Sequence, residues 1–174
     1  MTSLDPEDEQ LLHDGPRFRV HRARFPGDRT REWVSAPASV AIIAYDEESL
    51  YLVRQPREAV QRDDVLEAPA GVMDVPGESP LETAKRELTE EIGMEAADWV
   101  EATSFFASIG FTDEVVHVFL ATGLTAVPDA QPDPDEQIEI VKWPLTDIDA
   151  LIEANADAKT LVGLLWLRRA QLIG

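Results

Sequence analysis

Residues 71–94 read GVMDVPGESPLETAKRELTEEIGM, a glycine-containing turn followed by a segment with the pattern of one short helix. Ser79 suits the N-cap, Pro80 suits the first helical position, and Glu82 completes a capping box with Ser79. Gly93 is a typical residue for the end of such a helix. The pattern therefore predicts a helix from residue 80 to residue 92.

The predicted helix has two different faces. At about 100° per residue, one stripe collects the apolar side chains of Leu81, Ala84, Leu88 and Ile92. The neighbouring flank carries three carboxylates, those of Glu87, Glu90 and Glu91. We expect the apolar stripe to pack on the core and the acidic flank to carry the chemistry.

The three carboxylates repel one another unless a cation joins them. Like charges three or four residues apart destabilise a helix by about 0.2–0.5 kcal/mol per pair, and no basic residue follows them at the end of this helix. Mg²⁺ and Mn²⁺ prefer oxygen ligands and are held by a few carboxylates together with substrate phosphates. A solvated acidic face is the alternative, since most charge runs are solvated. We interpret the cluster as a divalent-metal site.

The segment resembles the signature of the Nudix hydrolases, in which a glycine and a glutamate precede Arg-Glu-apolar-x-Glu-Glu-x-Gly-apolar. The matching positions are Gly71, Glu78, Arg86, Glu87, Leu88, Glu90, Glu91, Gly93 and Met94. Six residues separate Gly71 from Glu78, one more than in the signature. The resemblance implies metal-dependent hydrolysis of a nucleoside diphosphate linked to another group. It also implies that Glu78 and Arg86 pair and orient the metal ligands.

A wider stretch, residues 17–172, resembles the ADP-ribose pyrophosphatase branch of that family. The match includes Gln-x-Arg at residues 55–57 and Glu-x-Pro-Ala-Gly at residues 67–71. By that resemblance Glu67 lies beside the substrate, and the main-chain carbonyl of Ala70 joins the metal ligands.

The resemblance also implies that Arg57 binds a phosphate, and its planar fork suits a pair of phosphate oxygens. The alternative for this arginine is a surface ion pair with Glu58 or Asp63. Arg54 is a second candidate for the phosphate contact.

The same branch carries a loop of the form Ser-Pro-Gly-x-x-x-Glu, which residues 108–114 match with Ile109 in place of the proline. That loop helps to define the ADP-ribose site, so the resemblance makes Glu114 a candidate substrate-binding residue. Phe111 in this loop either stacks on a base or fills the core. Because Ile109 replaces the proline, the substrate could differ while the metal chemistry stays the same.

A general base is implied in the acidic loop before the last strand, where Glu136 is the best positional match. Such a base must lie within hydrogen-bond reach of a water whose pKa the cations lower. Asp133, Asp135 and Glu139 are the alternatives in the same loop.

Composition limits the classes of function. The chain has 174 residues, 34 acidic and 15 basic, with a formal charge of −19, which argues against nonspecific binding to nucleic acid or an anionic membrane. It has no cysteine, so disulfides and thiolate catalysis are excluded. The start lacks a signal pattern, and no apolar run approaches about 18 residues. We expect a cytoplasmic enzyme with a small-molecule substrate.

Strand and helix patterns alternate along the chain. Residues 1–16 are polar and acidic, and they are predicted to be an extension or a frayed helix before one Nudix-type domain at 17–174. Strands are predicted around the turn at 26–28, and over 39–46, 49–55, 99–108, 114–124 and 139–145, with helices over 146–154 and 157–172. The pattern predicts an α/β fold, an α/β/α sandwich with a mixed sheet and N-terminal antiparallel strands.

The branch resemblance adds a homodimer in which residues 17–37 exchange between subunits. Trp33 lies in that segment, where it either contacts the adenine or packs in the core.

The predicted reaction is attack by an activated water on one phosphorus of ADP-ribose, which releases AMP and ribose 5-phosphate. Glu87, Glu90 and Glu91 would hold roughly two or three Mg²⁺ or Mn²⁺ ions, with Glu90, Glu91 and Glu136 as the catalytic carboxylates. One alternative is another nucleoside diphosphate derivative, such as a nucleotide sugar, NADH or a dinucleotide. The other is a nucleotide sensor without catalysis.

Overall fold

The computed structural model describes residues 4–128 and 138–173. In this part of the chain the strands are β1 (Asp8–Asp14), β2 (Arg19–Phe25), β3 (Arg29–Ser35), β4 (Ser39–Tyr45), β5 (Ser49–Arg57), β6 (Arg62–Glu67), β7 (Ala70–Val72), β8 (Met94–Phe106), β9 (Val115–Ala126) and β10 (Glu139–Pro144). The helices are α1 (Pro80–Ile92), α2 (Ile148–Ala154) and α3 (Ala158–Ile173). Among the described residues, no helix combines the length and the apolar character needed to cross a membrane.

The strands form two sheets. β1, β2 and β3 make a three-stranded antiparallel sheet, and the larger sheet has the order β10-β5-β4-β9-β8, with β6 beside β5 and β7 beside β4. In the larger sheet β4 and β9 are parallel, whereas β8 and β9, and β5 and β10, are antiparallel. The larger sheet is therefore mixed and the smaller one antiparallel, as the sequence predicted.

Strand β4 lies in the middle layer and is buried on both faces. Its alternate side chains point to opposite sides of the sheet: Ile42 packs in the cluster that contains Leu88 of α1, and Ile43 packs in the cluster that contains Leu164 of α3. A strand covered on both faces reads as a continuous apolar run, as SVAIIAY does. Helices on both faces of one sheet confirm the predicted α/β/α sandwich.

Helix α1 begins and ends at the residues that its capping pattern predicted. The Ser79 Oγ accepts a hydrogen bond from the Glu82 amide at 3.3 Å, and the Glu82 carboxylate accepts one from the Ser79 amide at 2.8 Å. Gly93 ends the helix in the left-handed conformation with φ 67°. Caps of this kind stabilise a helix by about 1 kcal/mol each. They fix where the helix begins and ends.

The N-terminal segment differs from the prediction. Residues 8–14, expected to be an extension or a frayed helix, form strand β1 and pair with β2 from Asp8↔Arg24 to Asp14↔Arg19. Every residue of β1 is exposed, so the segment lacks the apolar alternation by which a half-buried strand is recognised. Its order comes from pairing with β2, which a local pattern does not show, so the predicted extension or frayed helix is instead a paired strand over residues 8–14.

Two further strands were not predicted. β6 and β7 lie in the stretch that leads into the turn before α1, where polar and apolar residues do not alternate. β6 pairs with β5 from Val53↔Glu67 to Arg57↔Arg62, and β7 pairs with the start of β4. These pairings place Arg57 and Ala70 near α1, so the unpredicted strands position part of the site.

Candidate active site

One cleft of about 460 Å³ collects most of the residues that the sequence singled out. Its lining includes Arg57, Ala70, Arg86, Glu87, Glu90 and Glu91. These residues come from β5, β7 and α1, three separate elements within residues 49–92. The larger sheet and the helix that packs on it therefore bring the candidate ligands and the candidate phosphate contact together.

The three carboxylates of α1 differ in their exposure to solvent. Glu91 is 4% exposed, whereas the side chain of Glu90 is 51% exposed. The inner oxygen of Glu91 accepts a hydrogen bond from the Ala70 amide at 2.9 Å. This bond joins α1 to β7. It holds the most buried of the three carboxylates against Ala70, whose carbonyl the resemblance implied as a metal ligand.

Arg86 balances the charge of the acidic flank. Its Nη1 donates to Glu87 at 2.7 Å and to Glu90 at 2.9 Å, and its Nε donates to Glu78 at 3.3 Å. Burial alone would lower the pKa of Arg86, but the surrounding carboxylates outweigh it and raise the pKa well above its usual value. Because this arginine precedes the three glutamates instead of following them, the prediction did not include the relief of charge that it provides.

The additional residue in the turn before α1 does not separate Glu78 from Arg86. Gly77 takes a positive φ of 91°, and the Glu78 carboxylate accepts a hydrogen bond from Thr83 at 3.0 Å as well as the bond from Arg86. The longer turn is accommodated between residues 72 and 77. The contact that the resemblance implied is therefore present in spite of the insertion.

Gly71 lies directly against the carboxylate of Glu87. A Cβ atom at this position would lie 1.9 Å from Cδ of Glu87 and 2.0 Å from its Oε1, well inside van der Waals contact. Only glycine leaves room for the carboxylate at this place. The backbone of β7 is thus a cradle for one of the candidate metal ligands.

The chemistry of this donor set fits a hard divalent cation. Glu87, Glu90, Glu91 and the carbonyl of Ala70 offer oxygen only, which is the ligand type of Mg²⁺ and Mn²⁺. Within residues 4–128 and 138–173 no three acidic or histidine side chains converge as a ligand cluster, and Arg86 lies between Glu87 and Glu90. These residues suit a divalent cation, which would take the place of the Arg86 guanidinium between Glu87 and Glu90.

Arg57 forms a bidentate ion pair at the edge of the cleft. Its Nε and Nη2 donate to the two oxygens of Glu67 at 2.6 and 2.8 Å. Glu67 is only 2% exposed and also accepts a hydrogen bond from Lys159 at 2.5 Å. Hence Glu67, rather than Glu58 or Asp63, is the partner of Arg57.

The remaining candidate for the phosphate, Arg54, lies outside the lining of the cleft. Its Nε is 3.8 Å from the carboxylate of Glu139, on the adjacent strand β10. The structure therefore favours Arg57 over Arg54 as the arginine that faces a ligand.

Known proteins resemble this chain in sequence and in fold. A family model described as the NUDIX domain matches residues 35–164. The chain belongs to the Nudix family. An ADP-ribose pyrophosphatase from Bacillus subtilis (strain 168) is 39% identical over 142 residues, which cover 79% of this chain and 76% of the relative.

A second Nudix relative is an ADP-ribose pyrophosphatase from Mycobacterium tuberculosis (strain ATCC 25618 / H37Rv). It is 39% identical over 139 residues, which cover 77% of this chain and 67% of the relative. A solved structure described as an ADP compounds hydrolase superposes with a TM-score of 0.82 over 97% of this chain and 94% of its own. At 23% identity that structure supports the Nudix fold alone.

Three candidate substrate-binding residues, Glu67, Phe111 and Glu114, do not line the cleft, although the resemblance placed Glu67 beside the substrate. Phe111 is 56% exposed and lines a separate pocket with Trp33, so the option that it fills the core is wrong. Glu114 accepts a hydrogen bond from the Ser39 hydroxyl at 2.8 Å. The loop that carries Phe111 is attached to β3, because the Val34 amide donates to the Phe111 carbonyl at 2.7 Å.

The candidate general base cannot be placed in the cleft. Glu136 lies outside the described residues, as do its alternatives Asp133 and Asp135. Glu139 is described, exposed and near Arg54.

Two residues near the site were missed by the sequence analysis. Arg17, the first residue of the predicted domain, lines the cleft just before β2. Lys159 contacts Glu67 across 92 positions of sequence. No motif marks either residue, although Lys159 is one of only three lysines in the chain.

Acidification should weaken the ion pairs that Glu67 forms with Arg57 and Lys159. Burial alone would raise the pKa of Glu67, but hydrogen bonds and charges from Arg57 and Lys159 outweigh it, so the pKa lies below its ordinary value. The carboxylate therefore stabilises the fold above the unfolded pKa of about 4.3, and this contribution is lost as pH falls through the lower folded pKa. In melting curves from pH 7 to pH 3, the gap in Tm between wild type and Glu67→Gln should shrink below about pH 4. A constant gap would show that this ion pair does not supply the pH dependence.

Proposed function

We propose that this Nudix protein hydrolyses the diphosphate bond of ADP-ribose, with Mg²⁺ or Mn²⁺, and releases AMP and ribose 5-phosphate. The observation that carries the proposal is the single cleft in which the carboxylates of α1 meet Arg57. The carboxylates supply ligands for a hard cation, and the arginine supplies a donor for a phosphate. Relatives of 39% identity that are named ADP-ribose pyrophosphatase support the choice of substrate.

The residues of the cleft divide the work of binding. Glu91 would hold the innermost ligand position, because the Ala70 amide already fixes one of its oxygens. Glu87 and Glu90 would each exchange the ion pair with Arg86 for the divalent cation. When bound, the cations neutralise the diphosphate and lower the pKa of the attacking water.

Arg57, which lines the same cleft, would orient the diphosphate. Glu67 lies behind it and fixes its fork through two hydrogen bonds, so we propose that Glu67 positions Arg57. Glu136 remains the proposed base that takes the proton of the water, with Asp133 and Asp135 as its alternatives. Glu90 and Glu91 are the proposed catalytic carboxylates on α1.

The second pocket supports a finer proposal about the substrate. It has a volume of about 400 Å³, and its lining includes Trp33, Phe111 and Arg31, from β3 and the loop after β8. An aromatic pair beside an arginine suits the flat face of a base. We propose that Phe111 and Glu114 serve the nucleoside end of the substrate.

We further propose a homodimer, with residues 17–37 exchanged at its interface, and a single Nudix domain over 17–174. The segment 17–37 contains β2 and β3, whose sheet is separate from the larger one. Separate sheets of this kind are suited to exchange between copies of a chain. A cytoplasmic location, which the composition predicts, belongs to the same proposal.

A nucleotide sugar or another nucleoside diphosphate derivative is the second candidate substrate. Ile109, which replaces a proline of the branch motif, is 87% exposed beside the second pocket. Its side chain can therefore meet a ligand there. The metal chemistry of the proposal is the same for either substrate.

Turnover of a substrate panel tests this function. The purified protein is incubated with ADP-ribose, ADP-glucose, GDP-mannose or NADH, and the phosphomonoester products are detected with a coupled phosphatase. We expect AMP chiefly from ADP-ribose with Mg²⁺ or Mn²⁺, and loss of at least about 99% of that activity with chelator, because the cations stabilise the transition state. Preference for another diphosphate would refute the proposal that ADP-ribose is the substrate. Tight nucleotide binding with no turnover of any compound would refute the proposed hydrolysis and favour a nucleotide sensor.

A further inference from the structure

The cleft contains a third arginine besides Arg57 and Arg86. Arg17 belongs to its lining, next to Pro16. Within residues 4–128 and 138–173, the exposed side chain of Arg17 forms no hydrogen bond and no ion pair. Arg57 and Arg86, in contrast, are both paired with carboxylates. Among the described lining residues, Arg17 is therefore the arginine whose charge is still available to a ligand.

An arginine without a carboxylate beside it is unusual in the small sheet. The next three arginines of the chain are each close to an acidic side chain: Arg19 to Asp14, Arg22 to Glu32 and Arg24 to Glu7. The chain has 34 acidic residues against 15 basic ones, so most cations can find such a neighbour. A free guanidinium at the wall of the cleft is thus suited to an anion that comes from outside the chain.

The hairpin of β1 and β2 holds the main chain that carries Arg17. The Gly15 amide donates to the Phe18 carbonyl at 3.1 Å, which closes the turn between the two strands. Pro16, whose ring fixes its own φ, directly precedes Arg17 in this turn. Every residue of β1 is exposed, so this strand contributes to the hairpin and not to the core. The pairing of β1 with β2 thus presents Arg17 to the cleft.

The small sheet is attached to the larger one through Asp113. The Asp113 carboxylate accepts a hydrogen bond from the Ala36 amide at 3.0 Å, and the Asp113 amide donates to the Val34 carbonyl at 3.2 Å. Val34 lies on β3, which pairs with β2 along its whole length, and Asp113 lies just before β9. The turn that precedes β2 is therefore held beside the cleft that the larger sheet forms.

The other two arginines of the lining leave part of a diphosphate without a donor. Glu67 occupies the edge of Arg57 formed by Nε and Nη2, so Nη1 and the second proton of Nη2 are what this arginine offers to a ligand. Arg86 is held by three carboxylates. A diphosphate has two phosphate groups, each with its own oxygens. Arg17, with its whole fork free within the described part of the chain, suits the group that Arg57 does not cover.

We propose that Arg17 is a substrate-binding residue, which contacts the diphosphate through charge-assisted hydrogen bonds. The two phosphates are the only anionic groups of ADP-ribose, so they are the part of it that a free cation attracts most strongly. Arg17 and Arg57 would then hold the diphosphate, while the carboxylates of α1 hold the divalent cations. This inference rests on the proposed function, since it takes the cleft as the diphosphate site.

The test removes the charge of Arg17 and follows binding separately from chemistry. In Arg17→Met, the Kd of a methylene-bridged, non-hydrolysable analogue of ADP-ribose, measured by calorimetry with Mg²⁺, should rise by about tenfold or more. KM for ADP-ribose should rise by a similar factor with kcat within about threefold of wild type, as for a contact made equally in the ground state and the transition state. Tm should change by no more than about 2 °C, because the lost side chain has no partner among the described residues.

Arg17→Lys and added salt distinguish a contact between charges from stacking on the base. Arg17→Lys keeps the charge, so it should recover most of the affinity that Arg17→Met loses. The Kd of the same analogue should also rise more steeply with NaCl in wild type than in Arg17→Met, because salt screens the contact that the variant lacks. Equal salt dependence in the two proteins would contradict a phosphate contact.

Arg29→Met is the matched control. Arg29 begins β3 in the same small sheet, where its Nε donates to the Pro26 carbonyl at 3.1 Å, and it is not among the described residues that line the cleft. This variant makes the same chemical change and removes the same charge. Its Kd and KM should stay within about twofold of wild type if the position of the charge matters.

Three results would overturn the role of Arg17: wild-type affinity in Arg17→Met, an equal loss in Arg29→Met, or a large fall in Tm in Arg17→Met, which would assign Arg17 to the hairpin. Each of them leaves the proposed function intact if wild type hydrolyses ADP-ribose. If wild type prefers a different diphosphate, the proposed substrate is wrong, and the same variants are measured with an analogue of that compound. If wild type binds none of the nucleoside diphosphates with Mg²⁺, both proposals fall.

Discussion

Glu91→Gln should lower kcat by about 100-fold or more while it changes Tm by no more than a few degrees. Glu91 is 4% exposed and accepts a hydrogen bond from the Ala70 amide at 2.9 Å. The amide oxygen of glutamine can accept the same bond in nearly the same volume, so the fold keeps its contact between α1 and β7. The lost negative charge is the part that a divalent cation needs.

Turnover of ADP-ribose at saturating Mg²⁺, together with thermal melts, measures both effects of Glu91→Gln. Glu95→Gln makes the same chemical change at an exposed position of β8, outside the lining of the cleft, and should keep activity near that of wild type. Near-normal kcat in Glu91→Gln would remove this carboxylate from the chemistry. A fall in Tm large enough to unfold the variant in the assay would instead assign the role of Glu91 to stability.

Gly71→Ala should also reduce activity by about 100-fold or more, although it adds only one methyl group at a position that bears no charge. The added Cβ would lie 1.9 Å from Cδ of Glu87, so either the carboxylate or the backbone of β7 must shift. Displacing a catalytic group by about 1 Å costs on the order of 100-fold in rate. Because the atoms that the added Cβ meets are the end of a flexible side chain at the wall of the cleft, the free energy of unfolding should fall by only about 1 kcal/mol.

Turnover and urea unfolding separate the two consequences of Gly71→Ala. Adding Glu87→Ala removes the carboxylate that the methyl group meets, so the double variant should recover stability and stay inactive. Gly110→Ala controls for the general effect of replacing glycine on stability, because no atom lies within 4 Å of its added Cβ. Full activity in Gly71→Ala would mean that the carboxylate of Glu87 does not depend on this cradle.

Residues close together in the sequence predicted the boundaries of α1 and the carboxylates on its acidic flank. The capping box of Ser79 and Glu82 and the stop at Gly93 depend on residues within one turn of each helix end. The apolar run of β4 likewise predicted a strand, and the structure shows that this strand is covered on both faces. Interactions between near neighbours in sequence set these features, so the printed residues suffice.

Several contacts of the site depend on which strands pair and in which register. β6 carries Glu67 beside β5, which carries Arg57, and no alternation in residues 62–67 marked the strand. β1 has no buried residue at all, so its order depends wholly on the neighbouring strand. A sequence pattern reports burial, and it says little about strands whose order comes from main-chain hydrogen bonds.

The sequence by itself determined the Nudix helix, its caps, its carboxylates and the α/β/α arrangement, because periodicity and capping act over a few residues. Only the tertiary structure decided that Arg86 neutralises the acidic flank, that Glu87 rests on Gly71, and that Glu67 joins Arg57 to Lys159. These contacts depend on the direction of side chains and on strand register. Both are fixed when the whole sheet closes on its helices, and a local pattern does not contain them.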